Sequence, residues 1–152
     1  MPNWCNNKLA VSGPEEDVKR FKAQALGYSP WDEIKKREEC VLNFHSLLPV
    51  PPEVLSGGYE LAGYEWELKN WGCKWGAESA RLAEEWDGHL EYTLLSAWSP
   101  PIPFLSKIAP LWPTLLFLLD YEEMGIGFKG ITKVKGDTVE DHCLDLLKFN
   151  PH

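Results

Sequence analysis

The stretch Ala80-Arg81-Leu82-Ala83-Glu84-Glu85-Trp86-Asp87-Gly88-His89-Leu90-Glu91-Tyr92-Thr93-Leu94 decides the fold, because it reads as two strands joined by a tight turn. A two-residue Asp87-Gly88 turn sets Glu84 directly opposite Glu91, a like-charge pair that destabilises a sheet. A three-residue loop, Trp86-Asp87-Gly88, instead pairs Leu82 with Tyr92 and Ala80 with Leu94. It gathers Arg81, Ala83 and Glu85 with His89, Glu91 and Thr93 on the other face. The expected hairpin is therefore the three-residue form, with Gly88 left-handed in a bulge.

Upstream of this hairpin, residues 4–12 alternate as a strand with Cys5, Asn7, Leu9 and Val11 on one face. Ser12-Gly13-Pro14-Glu15 matches a capping box, and Val18, Phe21 and Ala25 follow at helical spacing up to a Gly27 stop. Leu42 to Pro52 reads as extended, because each proline forces the residue before it out of the helical region. Tyr59 to Trp71 is predicted as a helix, with Leu61, Tyr64, Leu68 and Trp71 along one side and Tyr59, Ala62 and Trp66 along a second.

Downstream, Pro100 to Ala109 suits a short helix opened by prolines, with Ile102, Leu105 and Ile108 at core spacing. Thr114 to Leu119 is a continuous apolar run of strand length, so both its faces are expected to be covered. Ile126, Phe128, Thr132 and Val134 alternate as a further strand. Asp137-Thr138-Val139-Glu140 resembles a cap for a short tail helix carrying Val139, Cys143 and Leu146. With residues 28–76 set aside as a helical and loop insertion, the order is strand, helix, strand, strand, helix, strand. That order is an α+β, ferredoxin-like split βαβ with an antiparallel sheet and an extra C-terminal strand. The expectation is one domain over residues 1–152.

The formal charge of −8 is uneven, with a balance of −2 over residues 1–76 and −6 over residues 77–152. A nucleic-acid groove needs clustered cations, and the one basic run, Lys35-Lys36-Arg37, is flanked by Asp32, Glu33, Glu38 and Glu39. It reads as a solvated helix face, and no direct DNA binding is expected. Cysteines 5, 40, 73 and 143 are too far apart for a CxxC site, and no His pair has ligand spacing, so no metal or cofactor is expected. Met1-Pro2-Asn3-Trp4 lacks a secretion signal, and the run Leu115–Leu119 is too short to span a bilayer. A cytoplasmic protein with free thiols is the expectation, with no membrane association.

Three clusters rich in Trp, Gly, Asn and Pro remain: Asn3-Trp4-Cys5-Asn6-Asn7, Asn70-Trp71-Gly72-Cys73-Lys74-Trp75-Gly76 and Trp98-Ser99-Pro100-Pro101. Together with Asn43-Phe44, Leu48-Pro49-Val50-Pro51 and Gly127-Phe128-Lys129-Gly130, they resemble the YubB ferredoxin-like family of bacterial plasmids, phages and related mobile elements. The resemblance covers nearly the whole chain, implies a ferredoxin-like fold without an iron–sulfur cluster, and brings no established activity.

Two readings of the clusters stand side by side. Trp71 and Trp75 can stack on a flat ligand while Asn70 reads its edge and Lys74 meets a phosphate or carboxylate, with Asn6 and Trp98 on the same candidate surface. Alternatively, the tryptophans wedge the preceding helix onto the sheet while Asn6 and Asn70 cap buried backbone. No activated thiol accompanies Cys5 or Cys73. Glu84, Glu85, Asp87 and Glu91 read as a solvated hairpin tip, not an acid/base pair. The function expected is that of a mobile-element accessory protein, a non-enzymatic module with a protein partner. The alternative is a nucleotide- or metabolite-binding protein or enzyme built on the Asn70–Trp75 loop.

Overall fold

The structure is a computed structural model that describes residues 2–31 and 38–147, so the run Lys35-Lys36-Arg37 lies outside the described residues. Strand β1 (Trp4–Ser12) buries Cys5, Asn7, Leu9 and Val11, as its alternation predicts. Helix α1 (Glu15–Gln24) follows and buries Val18 and Phe21. The capping box is not formed: Pro14 is the N-cap, with φ −56° and no side-chain cap. Its carbonyl accepts the Val18 N–H at 3.0 Å, and the proline's fixed φ opens the helix without help from Ser12. Nor is Gly27 a left-handed stop. It bridges Cys40 through paired backbone hydrogen bonds of 3.1 and 2.7 Å, where a side chain would overlap Ser46 and Asn43.

The insertion is more helical than its prolines suggest. Helix α2 (Phe44–Leu47) and helix α3 (Pro52–Ser56) flank an extended joint, with Pro52 opening the second where a missing N–H costs nothing. A π-helical turn (Tyr59–Gly63) then runs into helix α4 (Tyr64–Asn70). The wide turn shifts the buried face away from the predicted one. Gly63, Glu67 and Trp71 are buried, whereas Leu61 is 85% exposed and Tyr64 and Leu68 also face outward.

Strands β2 (Glu78–Trp86) and β3 (His89–Ala97) form the hairpin. Leu82 faces Tyr92 as expected, yet Trp86 pairs with His89 across a two-residue turn and Glu84 does face Glu91. The extra residue sits in β2 between Leu82 and Glu84 instead of at the tip. A cation lies near the like-charge pair, with Lys8 Nζ 3.9 Å from Glu91. The tip is pinned by Trp86 stacked on His89, with ring centroids 4.1 Å apart, and by the Gly88 carbonyl accepting the Gly13 N–H.

Helix α5 (Ile102–Ile108) buries Phe104, Leu105 and Ile108 and passes through a short 3₁₀ turn to strand β4 (Leu116–Glu123). That strand alternates, with Leu118 37% exposed, so only one of its faces is covered. Strand β5 (Phe128–Lys135) begins after Ile126, which lies in the turn. The predicted tail helix is instead strand β6 (Thr138–Asp145), paired with β5. Gly136, at φ 54°, and Asp137 form a two-residue turn between Lys135 and Thr138, and a Gly-Asp pair at that spacing is a hairpin signal.

The sheet order is β2-β3-β1-β4-β5-β6, antiparallel at each junction. Strands β1 to β4, with α1 and α5, reproduce the ferredoxin-like arrangement, and β5 and β6 extend its β4 edge. Leu9, Phe21, Phe44, Trp71, Phe104 and Phe117 belong to one buried cluster that includes residues of the insertion.

Candidate functional site

The three Trp-rich clusters converge. Trp71 ends α4 at 2% exposure, and its indole N–H donates to the Leu48 carbonyl at 3.1 Å. Its ring meets Phe44 and Trp66 edge-on, and Phe44 stacks on Phe104 of α5 at 3.9 Å between centroids. Gly72, at φ 83°, turns the chain where Pro103 leaves no room for a side chain. Its carbonyl accepts the Ser99 hydroxyl, the Ser99 carbonyl accepts the Ser96 hydroxyl at 2.6 Å, and Ser96 Oγ accepts the Asn7 amide at 2.9 Å. One hydrogen-bonded chain thus ties the N-terminal strand, the Trp98-Ser99 corner and the Trp71-Gly72 loop together.

Glu67, fully buried on α4, is the second anchor. Its carboxylate accepts the Trp31 indole N–H at 2.8 Å through Oε2 and the Trp75 backbone N–H at 2.6 Å through Oε1. The second bond holds Trp75 at φ 72°, a left-handed conformation that is strained for a bulky residue. The Trp75 ring then lies against Trp4 at 6.2 Å, with Lys74 Nζ 4.1 Å above it.

Asn70 is half-buried; its amide donates to the Trp66 carbonyl at 2.9 Å, and its oxygen accepts from Lys107. Trp71 is core. Lys74 and Trp75 form one cation–π unit beside Trp4. Trp98 is 45% exposed at φ 71°, held by its N–H to the Asn3 carbonyl at 2.8 Å. Asn6 is exposed on the sheet face away from α1 and α5, in a shallow groove of about 510 Å³ with Lys8, Arg81, Asp120 and Glu122. A second cleft of about 440 Å³ opens beside the loop, walled by Phe44, Trp71 and Trp75 and reaching Ser29, Asn43 and Ser79.

Sequence reasoning missed Glu67, Asn7, Ser96 and Ser99. Gly63, Glu67 and Trp71 recur at four-residue spacing, and a Gly and a Trp flanking a Glu mark a tightly packed helix face. That spacing was the available signal for Glu67. Burial pushes the Cys5 thiol up to about 12, which leaves it protonated and unreactive at neutral pH. Among the described residues, no group of three or more His, Cys, Asp or Glu side chains is arranged to hold a metal ion. No helix among them is long and apolar enough to cross a membrane.

Comparison with known proteins agrees with this architecture. The crystal structure of the protein api92 from Yersinia pseudotuberculosis superposes with a TM-score of 0.70 at 11% identity, covering 93% of this chain and 98% of that one. At that identity the likeness speaks for the fold alone. No curated protein sequence matches. A family model described as the ferredoxin-like domain in Api92-like protein matches residues 70–150. The ferredoxin-like part of the resemblance drawn from the motifs is thus supported, whereas the YubB name is not the one these comparisons carry. The family match spans more than half of the sequence and takes in the Asn70–Gly76 loop, the hairpin and strands β4 to β6, and the chain belongs to this family of Api92-like ferredoxin-like domains.

Proposed function

We propose that this chain is a non-enzymatic accessory module of a mobile element, and that it works by binding a protein partner with a basic surface. The observation that carries this reading is where the aromatic side chains go. Trp71, the tryptophan best suited to a ligand platform, is packed on Trp66 and Phe44 with its indole N–H on the Leu48 carbonyl, and Trp75 lies against Trp4 with its backbone held by Glu67, while the chain as a whole carries an acidic excess. Affinity purification of the tagged chain from its host tests it. A stoichiometric protein partner should be retained near ~0.15 M salt and released near ~1 M, where the Debye length falls to about 3 Å. The same charge balance implies that the isolated chain leaves duplex DNA unshifted in a gel. Retention of nucleic acid in place of a protein would sink the reading.

The cleft beside Trp71 and Trp75 favours a second reading, a pocket for a flat metabolite or nucleotide. Intrinsic fluorescence under a panel of such compounds discriminates the two. Saturable quenching that is lost in Trp75→Ala supports the pocket, and an unchanged spectrum supports the partner module.

A further inference from the structure

The two edges of the sheet are built differently. The β2 edge is broken by two register shifts, one between Glu78 and Arg81 and one between Leu82 and Glu84, with Ser79 at φ 50°. Bulges of this kind are how sheets discourage further strands from pairing. Among the described residues, the β6 edge carries no such device, and no described strand pairs its outer side. It pairs with β5 in unbroken register over its whole length, from Thr138 opposite Lys135 to Asp145 opposite Phe128. It contains no proline and is exposed at all eight positions.

Its charge is one-sided. Asp137, Glu140, Asp141 and Asp145 lie on or beside β6, and no lysine or arginine stands between them. The nearest cations on the same sheet, Lys129, Lys133 and Lys135, are one strand further in. Of these, Lys129 faces Glu122 across the strands and Lys133 faces Glu140. On the other face, Asp141 accepts hydrogen bonds from the Tyr121 and Thr132 hydroxyls at 2.7 Å, which hold its carboxylate inward over β5, and Asp145 accepts the Leu147 N–H at 3.0 Å, so the negative charge of β6 is held in place on the strand. A second copy of β6 would bring acidic strand against acidic strand, which like-charge repulsion disfavours. An extended segment with alternating lysine or arginine would instead meet complementary charge.

We propose that β6 is an open strand-addition edge that takes an extended basic segment of a partner protein as a seventh strand. Main-chain hydrogen bonds supply the docking and the carboxylates select the sequence. The proposal rests on the partner-binding reading above and specifies the surface and chemistry of that partner.

Cys143, the exposed cysteine on β6, provides a local readout. The probe is a fluorescent octapeptide alternating Lys and Val, compared with its backbone N-methylated form and with a Glu-Val analogue. Fluorescence anisotropy should show the Lys-Val peptide binding at least ~10-fold more tightly than either control, since one lacks edge donors and the other has the wrong charge. Saturating peptide should slow alkylation of Cys143, and Glu140→Lys should weaken the Lys-Val peptide while favouring the Glu-Val one. Equal binding of the N-methylated peptide, or Cys143 alkylation unaffected by saturating peptide, overturns strand addition. Self-association of the free chain with Cys143 protected overturns it in favour of a second copy. A host partner that is captured while Cys143 stays fully reactive overturns this proposal alone. Peptide binding at β6 without any host partner removes the broader reading instead.

Discussion

Replacing Trp71 by alanine separates packing from ligand binding. The indole is 2% exposed, bridges Trp66 to Phe44, and through Phe44 reaches Phe104 of α5. Truncating a buried aromatic costs about 3–5 kcal/mol in lost transfer energy and residual cavity. The Leu48 carbonyl also loses its indole donor at 3.1 Å, adding roughly 1 kcal/mol. A total near ~5 kcal/mol is a large part of the ~5–15 kcal/mol that holds a domain folded. At ~2–4 °C per kcal/mol for a chain of this size, the melting temperature should fall by about 10–20 °C. Thermal unfolding followed by far-UV circular dichroism reads the shift. Trp71→Phe keeps most of the ring but not the N–H, and should fall by only a few degrees. A Trp71→Ala variant that melts within ~2 °C of the parent would refute the packing argument, because no buried tryptophan with these neighbours can be removed that cheaply. If such a variant also lost its ligand, the pocket reading would take its place.

Three further outcomes follow from single sites. Gly130→Ala would drive a Cβ into the Tyr121 hydroxyl and the His142 carbonyl, so it should destabilise by about 1–3 kcal/mol and raise Cys143 reactivity as β5 and β6 shift; an unchanged urea midpoint would contradict that crowding. Glu67→Gln keeps the shape but turns one acceptor into a donor, leaving either the Trp31 or the Trp75 N–H without its partner. A lower urea midpoint, by about 1.5–3 kcal/mol, is expected, and a higher one would mean that relieving the buried charge outweighs the lost bond. Burial holds the His45 imidazole below its ordinary 6.5, and the His45 Nδ1 accepts the Val50 N–H at 3.0 Å. The unfolded chain therefore binds the proton first as pH falls. This contribution is fully present above about 6.5 and is lost as pH drops toward the lowered folded value, so melting temperature should decline less steeply with acid in His45→Gln than in the parent.

The elements that could be read from sequence share one property: a local pattern facing one continuous core. β1, α1, the Leu82–Tyr92 register and α5 each show their buried face at period 2 or at helical spacing, and each lies where the pattern puts it. Failures came where a nonlocal partner or a single backbone irregularity intervened. The π-turn at Tyr59–Gly63 shifted the face of α4, so Glu67 went inside and Leu61 outside. Strand β6 has no buried face at all, so periodicity had nothing to report, and Val139, Cys143 and Leu146 mimicked a helix. The extra residue of the hairpin is Ala83, within β2, and the resulting Glu84–Glu91 pair has Lys8 nearby, from a strand distant in sequence that the local pattern does not contain. The convergence of the tryptophan clusters was equally hidden. Its links run through Asn7, Ser96, Ser99 and Glu67, ordinary residues whose role exists only after folding.

Strain shows what that convergence accomplishes. Trp75, Ser79 and Trp98 are the described non-glycine residues with left-handed backbone, and all three lie in or beside the Trp-rich loops. Each such residue costs on the order of 1–3 kcal/mol and persists only where its surroundings over-determine it. For Trp75 that determinant is the Glu67 carboxylate, and for Trp98 it is the Asn3 carbonyl. Glu67 is held in turn by the Trp31 indole, which packs edge-on against Tyr59 at the start of the π-turn. These bonds brace the insertion and the Asn3–Trp98 corner separately, and the two are joined by the Ser99 hydroxyl on the Gly72 carbonyl, by Lys107 on the Asn70 side-chain oxygen and by Trp75 against Trp4. A binding loop that must adapt to a ligand would be expected to keep such donors free, because ordering them in advance removes the freedom to adjust. At this corner the Trp71 indole and the Trp75 and Trp98 backbone N–H groups are committed. Among the described residues, the regular strand β6, whose outer side no described strand pairs, is where main-chain groups face outward beside carboxylates.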